Sequence, residues 1–153
     1  MFYDSCTTGT PNSEWWKSGG SLNVESSDNG ITLTNSTSNT YYFSPNKYGT
    51  SKSSMTDLVE WNEFICEFRY ISHTANIELQ LRDGTGTLSR IYFSNLNLNN
   101  GDVIKLQYTN NTLTATVNGN PISFTGGTSG DVMIRFAINN GTLVFKEYKV
   151  YPI

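Results

Sequence analysis

Two glutamates in the stretch WNEFICEFRY, residues 61–70, have a spacing that could support catalysis. Residues at i, i+2 and i+4 of a strand point to one face of a sheet, so Glu63 and Glu67 share a face if this stretch is extended. Two carboxylates about 5–5.5 Å apart serve as acid/base and nucleophile in a retaining glycosidase. The same pattern also describes the solvated face of an ordinary strand. The two residues alone leave both interpretations open.

The composition favours strands joined by turns. The chain has 153 residues, of which only 15% are charged, so Ser, Thr, Asn and Gly must cover much of the surface. We predict one domain over residues 1–153, long enough for a sizeable core. The net charge of −3 argues against nucleic acid as a partner, because neutralising phosphates needs clustered Lys and Arg. No apolar run approaches the roughly 18 residues of a membrane span, so we expect no membrane insertion.

Period-two alternation between turn signals predicts an all-β fold. No segment keeps a 3.6-residue period over three turns. About ten short strands in a domain of this size favour a two-sheet antiparallel β-sandwich over an open sheet. The predicted strands cover residues 21–26, 30–35, 39–44, 62–72, 76–82, 88–94, 103–109, 112–118, 131–139 and 142–151.

Alternation within these strands also separates inward from outward side chains. The side chains expected in the core of the central strands are Phe64, Cys66, Phe68, Tyr70, Ile77, Leu79, Leu81, Ile91 and Phe93. If the strands at 62–72, 76–82 and 88–94 form a meander, the outer face of one sheet collects the other side chains. These are Trp61, Glu63, Glu67, Arg69, Glu78, Gln80, Arg82, Arg90 and Tyr92.

Several segments follow one another in a familiar order. They are FYDSC, EWWKSGGSLNVES, DNGITLTN, the FICEFRY, IELQLRD and RIYF strands, the hairpin YTNNTLTATVNG and the closing TLVFKEYKVYPI. This order resembles the concanavalin A-like lectin/glucanase superfamily, in its laminin G-like and jelly-roll carbohydrate-binding forms. The closing strand is similar to that of modules in phage tail and prokaryotic surface proteins. The resemblance implies two stacked sheets, with sugar bound on the concave face of the curved one.

A departure from the motif of the superfamily's enzymes favours a binding module over an enzyme. Glucanases of the superfamily carry E-x-D-x-E on one strand, and Glu63 and Glu67 match its ends, whereas Ile65 replaces the central Asp. Ile65 cannot help to set the protonation of the two carboxylates, so we predict no catalytic residues. A sugar site needs an aromatic platform and fixed polar groups. The predicted ligand-binding residues are Trp61, Glu63, Glu67, Arg69, Gln80, Arg82, Arg90 and Tyr92.

The expected ligand is a polysaccharide or cell-surface glycan. The resemblance places the module outside the cell, on a cell surface or on a virion, where other virion or surface-protein subunits would contact it. Two alternatives stay open: a structural virion or assembly domain without sugar binding, and a β-glucanase-type hydrolase that uses Glu63 and Glu67. We expect no cofactor and no metal site, although the resemblance leaves open a structural calcium near Asp4, Asp57 and Glu60.

Overall fold

Antiparallel strands make up nearly all of the structure, a computed structural model that describes residues 2–4, 16–18, 22–45, 62–151 and 153. The strands are β1 (Phe2–Asp4), β2 (Trp16–Ser18), β3 (Asn23–Ser27), β4 (Gly30–Pro45), β5 (Phe64–Asp83), β6 (Leu88–Tyr92), β7 (Val103–Thr109), β8 (Thr112–Val117), β9 (Asn120–Pro121) and β10 (Val132–Tyr151). A 3-10 turn covers Phe93–Asn95. Within these ranges we find no helix that could span a membrane.

Three long strands, in the spatial order β4-β10-β5, run through both layers of a β-sandwich. One layer, called the first sheet, contains the first part of β4, the first part of β5 and the last part of β10. It also contains β1, β3, β7, β8 and β9. The other layer, called the second sheet, joins residues 40–45 of β4, 132–139 of β10 and 76–83 of β5, and adds β2 and β6. Hydrogen bonding therefore continues from one layer to the other along the shared strands.

The aromatic rings of the core show how sharply the shared strands bend. Phe136 and Phe145 are nine residues apart on β10, a distance of about 30 Å in an extended strand. Their ring centroids nevertheless lie 4.7 Å apart. Phe136 also meets the ring of Phe68 on β5 edge-on at 5.2 Å. These rings fill the space between the two sheets.

Backbone irregularities in β5 and β10 produce the bends. Ala75 and Asn140 have positive φ angles of 56° and 46°, and pairing between the two strands shifts register there. A Cβ atom on Gly141 would collide with the carbonyl oxygen of Thr74. The strands therefore approach each other at the bend more closely than a larger residue would allow.

The matching bend of β4 is braced by the buried side chain of Asn35. Its Nδ2 donates to the carbonyl oxygen of Ile138 at 2.7 Å, and its Oδ1 accepts from the Thr37 N–H at 2.9 Å. The Thr37 hydroxyl donates to the same oxygen at 2.7 Å. A short polar side chain thus satisfies backbone groups that the interrupted ladder leaves unpaired.

The all-β sandwich and the predicted inward side chains of β5 and β6 are confirmed. Three pairs of predicted strands are wrong, because the two members of each pair form one bent strand. The pairs are 30–35 with 39–44 in β4, 62–72 with 76–82 in β5, and 131–139 with 142–151 in β10. The predicted meander is wrong for the same reason. Its first strand belongs to the first sheet, whereas its second and third belong to the second sheet.

Candidate functional site

The bend in β5 separates the predicted ligand-binding residues into two groups. Glu67 and Arg69 project outward from the first sheet, and Gln80 and Arg82 project outward from the second. Because the inner faces of the two sheets pack on each other, their outer faces point in opposite directions. The structure brings Gln80, Arg82, Arg90 and Tyr92 together on one face. Trp61 lies outside the described residues.

Glu63 and Glu67, the possible catalytic pair of the sequence, have different surroundings in the structure. Glu67 accepts a hydrogen bond from the Tyr151 hydroxyl at 3.0 Å and forms an ion pair with Lys149 Nζ at 2.9 Å. Burial raises the pKa of Glu67, but the bonds from Lys149 and Tyr151 outweigh it, and the pKa ends below its ordinary value. A catalytic general acid needs the opposite shift. Glu63 precedes β5, is exposed, and accepts a 3.4 Å hydrogen bond from the Thr109 hydroxyl.

Arg69 is also paired on the outer face of the first sheet. Its Nε donates to Glu147 Oε2 at 2.9 Å, and its Nη1 donates to the Gly101 carbonyl at 2.9 Å. Glu147 has a φ of 55° and lies where the ladder shifts register, so a bulge directs its carboxylate towards Arg69. Both side chains are well exposed, so the pair is a surface ion pair of small energetic weight.

The outer face of the second sheet has a different arrangement, which follows from cross-strand pairing. Its side chains form three rows: Tyr42, Ala137, Glu78 and Tyr92; then Arg135, Gln80 and Arg90; then Met133, Arg82 and Leu88. Neighbours within a row lie about 5 Å apart at the backbone. We call this set of side chains the arginine face.

Arg135 is the central cation of the arginine face and is only 8% exposed. Its Nε donates to Gln80 Oε1 at 2.8 Å, and its guanidinium carbon lies 3.8 Å from the centre of the Tyr42 ring. No carboxylate of the described residues lies within 4 Å of it. Burial lowers the pKa of Arg135, Tyr42 opposes this effect, and Arg82 and Arg90 lower the pKa further. Because arginine stays protonated regardless, Arg135 is a buried cation with no ion-pairing carboxylate among the described residues, which is a costly arrangement.

Glu78 is the only acidic side chain among the described residues of the arginine face. Its Oε1 lies 3.5 Å from Arg90 Nη1, within ion-pair range, yet this buried oxygen makes no hydrogen bond to another described residue. Gln80 Nε2 donates to its Oε2 over a long 3.4 Å. Arg90, whose side chain is 40% exposed, makes a second long contact of 3.5 Å with the Tyr92 hydroxyl. These loose contacts leave polar groups able to bind something else.

Aromatic side chains stand at both ends of the first row. Tyr42 and Tyr92 are partly exposed, and the two strands between them set their backbones about 14 Å apart. Beside Tyr92 lies a groove of about 300 Å³ whose lining includes Leu96, Ile122 and Phe124. The arginine face therefore combines a polar centre with aromatic and apolar margins, a mixture typical of ligand sites.

The residues predicted from the sequence to bind ligand include neither Arg135 nor Tyr42. Arg135 is the only charged residue in the apolar run VMIRFAI, residues 132–138. A lone charge in a strand that is otherwise buried is a usable signal, because burying it needs a partner or a function. Tyr41 and Tyr42 are adjacent, and only the register with Ala137 shows that Tyr42 belongs to this face.

The described residues include no group of three or more His, Cys, Asp and Glu side chains placed to hold a metal ion. Asp57 and Glu60 lie outside those residues, and the side chain of Asp4 is not described. The structural calcium that the family resemblance leaves open is therefore untested.

Comparison with known proteins identifies the fold. No protein-family model and no curated protein sequence matches the chain. Among solved structures, the carbohydrate-binding module CBM66 from Bacillus subtilis is similar, with a TM-score of 0.59 and 9% identity over 88% of this chain and 94% of that one. The Emp46p carbohydrate recognition domain gives 0.55 and 12% identity over 90% and 88% of the two chains. An alginate lyase from Corynebacterium sp. gives 0.56 and 13% identity over 85% and 80%.

These identities establish the fold alone. The chain adopts a jelly-roll β-sandwich of the kind found in a carbohydrate-binding module, a carbohydrate recognition domain and an alginate lyase.

Proposed function

We propose that this protein is a non-catalytic carbohydrate-binding module whose glycan lies on the arginine face. The observation that carries the proposal is that Gln80, Arg82 and Arg90 share one outer face with Tyr42 and Tyr92, the two aromatic residues at the ends of its first row. Sugars present hydroxyl groups and apolar C–H faces, and such a surface offers hydrogen-bonding groups and aromatic rings to match. The carbohydrate-binding module and the carbohydrate recognition domain among the similar structures support the same class of function.

Binding on the arginine face requires no catalytic pair. Glu67 is engaged by Lys149 and Tyr151 on the opposite outer face, and Ile65 stands where the glucanase pattern has an Asp. The alginate lyase among the similar structures shows that this fold also accommodates enzymes. The proposal is therefore that this chain binds glycan and leaves it intact.

We also propose that the module works outside the cell, as part of a phage tail, a virion, or a secreted or cell-surface protein. The closing segment TLVFKEYKVYPI supports this setting, through its similarity to the last strand of modules in such proteins. Other virion or surface-protein subunits would then be its protein partners.

Replacing Tyr92 by Ala should weaken glycan binding about fivefold to tenfold, because one aromatic margin of the site is lost. Binding is first found on a glycan array with folded protein and then measured by calorimetry with the best glycan. Reducing ends in the same mixture should stay constant, since no bond is broken.

The matched control is Tyr151→Ala, which removes a partly exposed tyrosine from the outer face of the first sheet. It should leave the affinity unchanged. Equal loss in both variants would show that the glycan is not on the arginine face. Folded protein that binds no glycan but forms stable oligomers would favour a structural domain instead.

A further inference from the structure

The arginine face carries positive charge although the whole protein is negative. Among the described outward side chains of this face, Arg82, Arg90 and Arg135 outnumber the single carboxylate, that of Glu78, whereas the chain has a net charge of −3. The nearest additional acid along β10 is Asp131, an exposed residue just before the strand begins. The charges of the protein are therefore distributed unevenly, with a surplus of cations on one face.

On the outer face of the first sheet, by contrast, two cations are paired with carboxylates. There, Lys149 pairs with Glu67 and Arg69 pairs with Glu147, each at 2.9 Å. On the arginine face, neither Arg82 nor Arg135 has a carboxylate within 4 Å in the part of the chain that the structure describes. The arginine face therefore differs from the outer face of the first sheet in two ways: it has more cations than carboxylates, and two of its cations form no ion pair with a described residue.

The three guanidinium groups are also close neighbours. Arg90 and Arg135 flank Gln80 in one row, so their backbones lie about 10 Å apart. Arg82 follows two residues after Gln80 along β5, and the charges of Arg82 and Arg90 both lower the pKa of Arg135. Holding three cations together costs free energy that a bound anion would offset.

We infer that the arginine face binds an acidic glycan, with uronate carboxylates held by Arg82 and Arg90 beside the fixed charge of Arg135. This inference rests on the proposed function and specifies its ligand class. Guanidinium groups match carboxylates through two parallel hydrogen bonds, a geometry that a hydroxyl group cannot offer. Arg90 makes only long contacts of 3.5 Å with Glu78 and Tyr92, so its N–H groups can donate hydrogen bonds to the ligand.

The test compares two polyuronates, polygalacturonate and alginate, each with its own ester, which keeps the backbone and removes the charge. Calorimetry should show binding of at least one acid form and an affinity about tenfold or more lower for its ester. Arg82→Gln and Arg90→Gln should each weaken binding of the acid form about tenfold. Raising the salt concentration should weaken it further, because exposed charges are screened.

Arg69→Gln is the matched control, because Arg69 forms its surface ion pair on the opposite face. It should bind the polyuronate as the wild type does. Equal affinity for acid and ester would overturn the acidic ligand while leaving glycan binding intact. Failure of both polyuronates, with neutral glycans bound on the array, would overturn it in the same way. Failure of every glycan would remove the proposed function as well.

Discussion

Replacing Phe136 by Ala is expected to lower the free energy of unfolding by about 3–5 kcal/mol. Phe136 is 1% exposed, and its ring contacts Phe145 and Phe68 at centroid distances of 4.7 and 5.2 Å. The truncated side chain would leave a cavity where rings from both sheets meet, and the bent strands around it cannot close onto the space. Urea unfolding followed by circular dichroism measures the change.

Phe124→Ala is the control for this prediction. Phe124 is only partly buried and packs against the margin of the core, so its truncation should cost much less, about 1 kcal/mol. Similar losses in the two variants would contradict a core centred between the two sheets.

A second variant, Gln80→Met with Arg135→Met, should separate binding from stability. The two side chains are buried partners, joined at 2.8 Å, and Arg135 lacks an acidic partner among the described residues. Replacing both removes the desolvation cost of the cation without leaving the Gln80 oxygen unpaired. We expect the free energy of unfolding to stay the same or rise by about 1 kcal/mol.

Binding should change in the opposite direction. Without Arg135 and the Gln80 side chain that holds it, the affinity for the glycan should fall about 100-fold, because the central charge of the face is lost. The control is Lys105→Met with Gln107→Met, two outward residues of β7 on the first sheet, which should bind normally. A folded double variant at Gln80 and Arg135 that keeps its affinity would refute the site.

Much of the fold could be predicted because alternation follows the core closely. Phe64, Cys66 and Phe68 are buried as expected, and the β7 and β8 hairpin lies where its pattern predicts. The bends could not be predicted, because each strand continues through its bend while the alternation of inward and outward side chains shifts. Side chains on one face of a regular strand are an even number of residues apart. Tyr70 and Ile77 both point inward but are seven residues apart, so the sequence pattern alone suggests two separate strands.

The site could be predicted only in part for the same reason. Alternation shows that Arg69 and Arg82 both face outward, but it cannot show that the bend of β5 places them on opposite faces. Arg90 and Tyr92 reach the arginine face through pairing with Gln80 and Glu78, and Arg135 and Tyr42 reach it from strands distant in sequence. A role for Trp61 stays a prediction.

The most direct test of the arginine face is to follow backbone amide chemical shifts during titration with the polyuronate oligomer or other glycan that binds best. We expect the largest changes at residues 78–82, 90–92 and 133–137, which lie side by side in the second sheet. Changes confined to residues 65–69 and 103–107 would place the ligand on the first sheet and contradict the assignment.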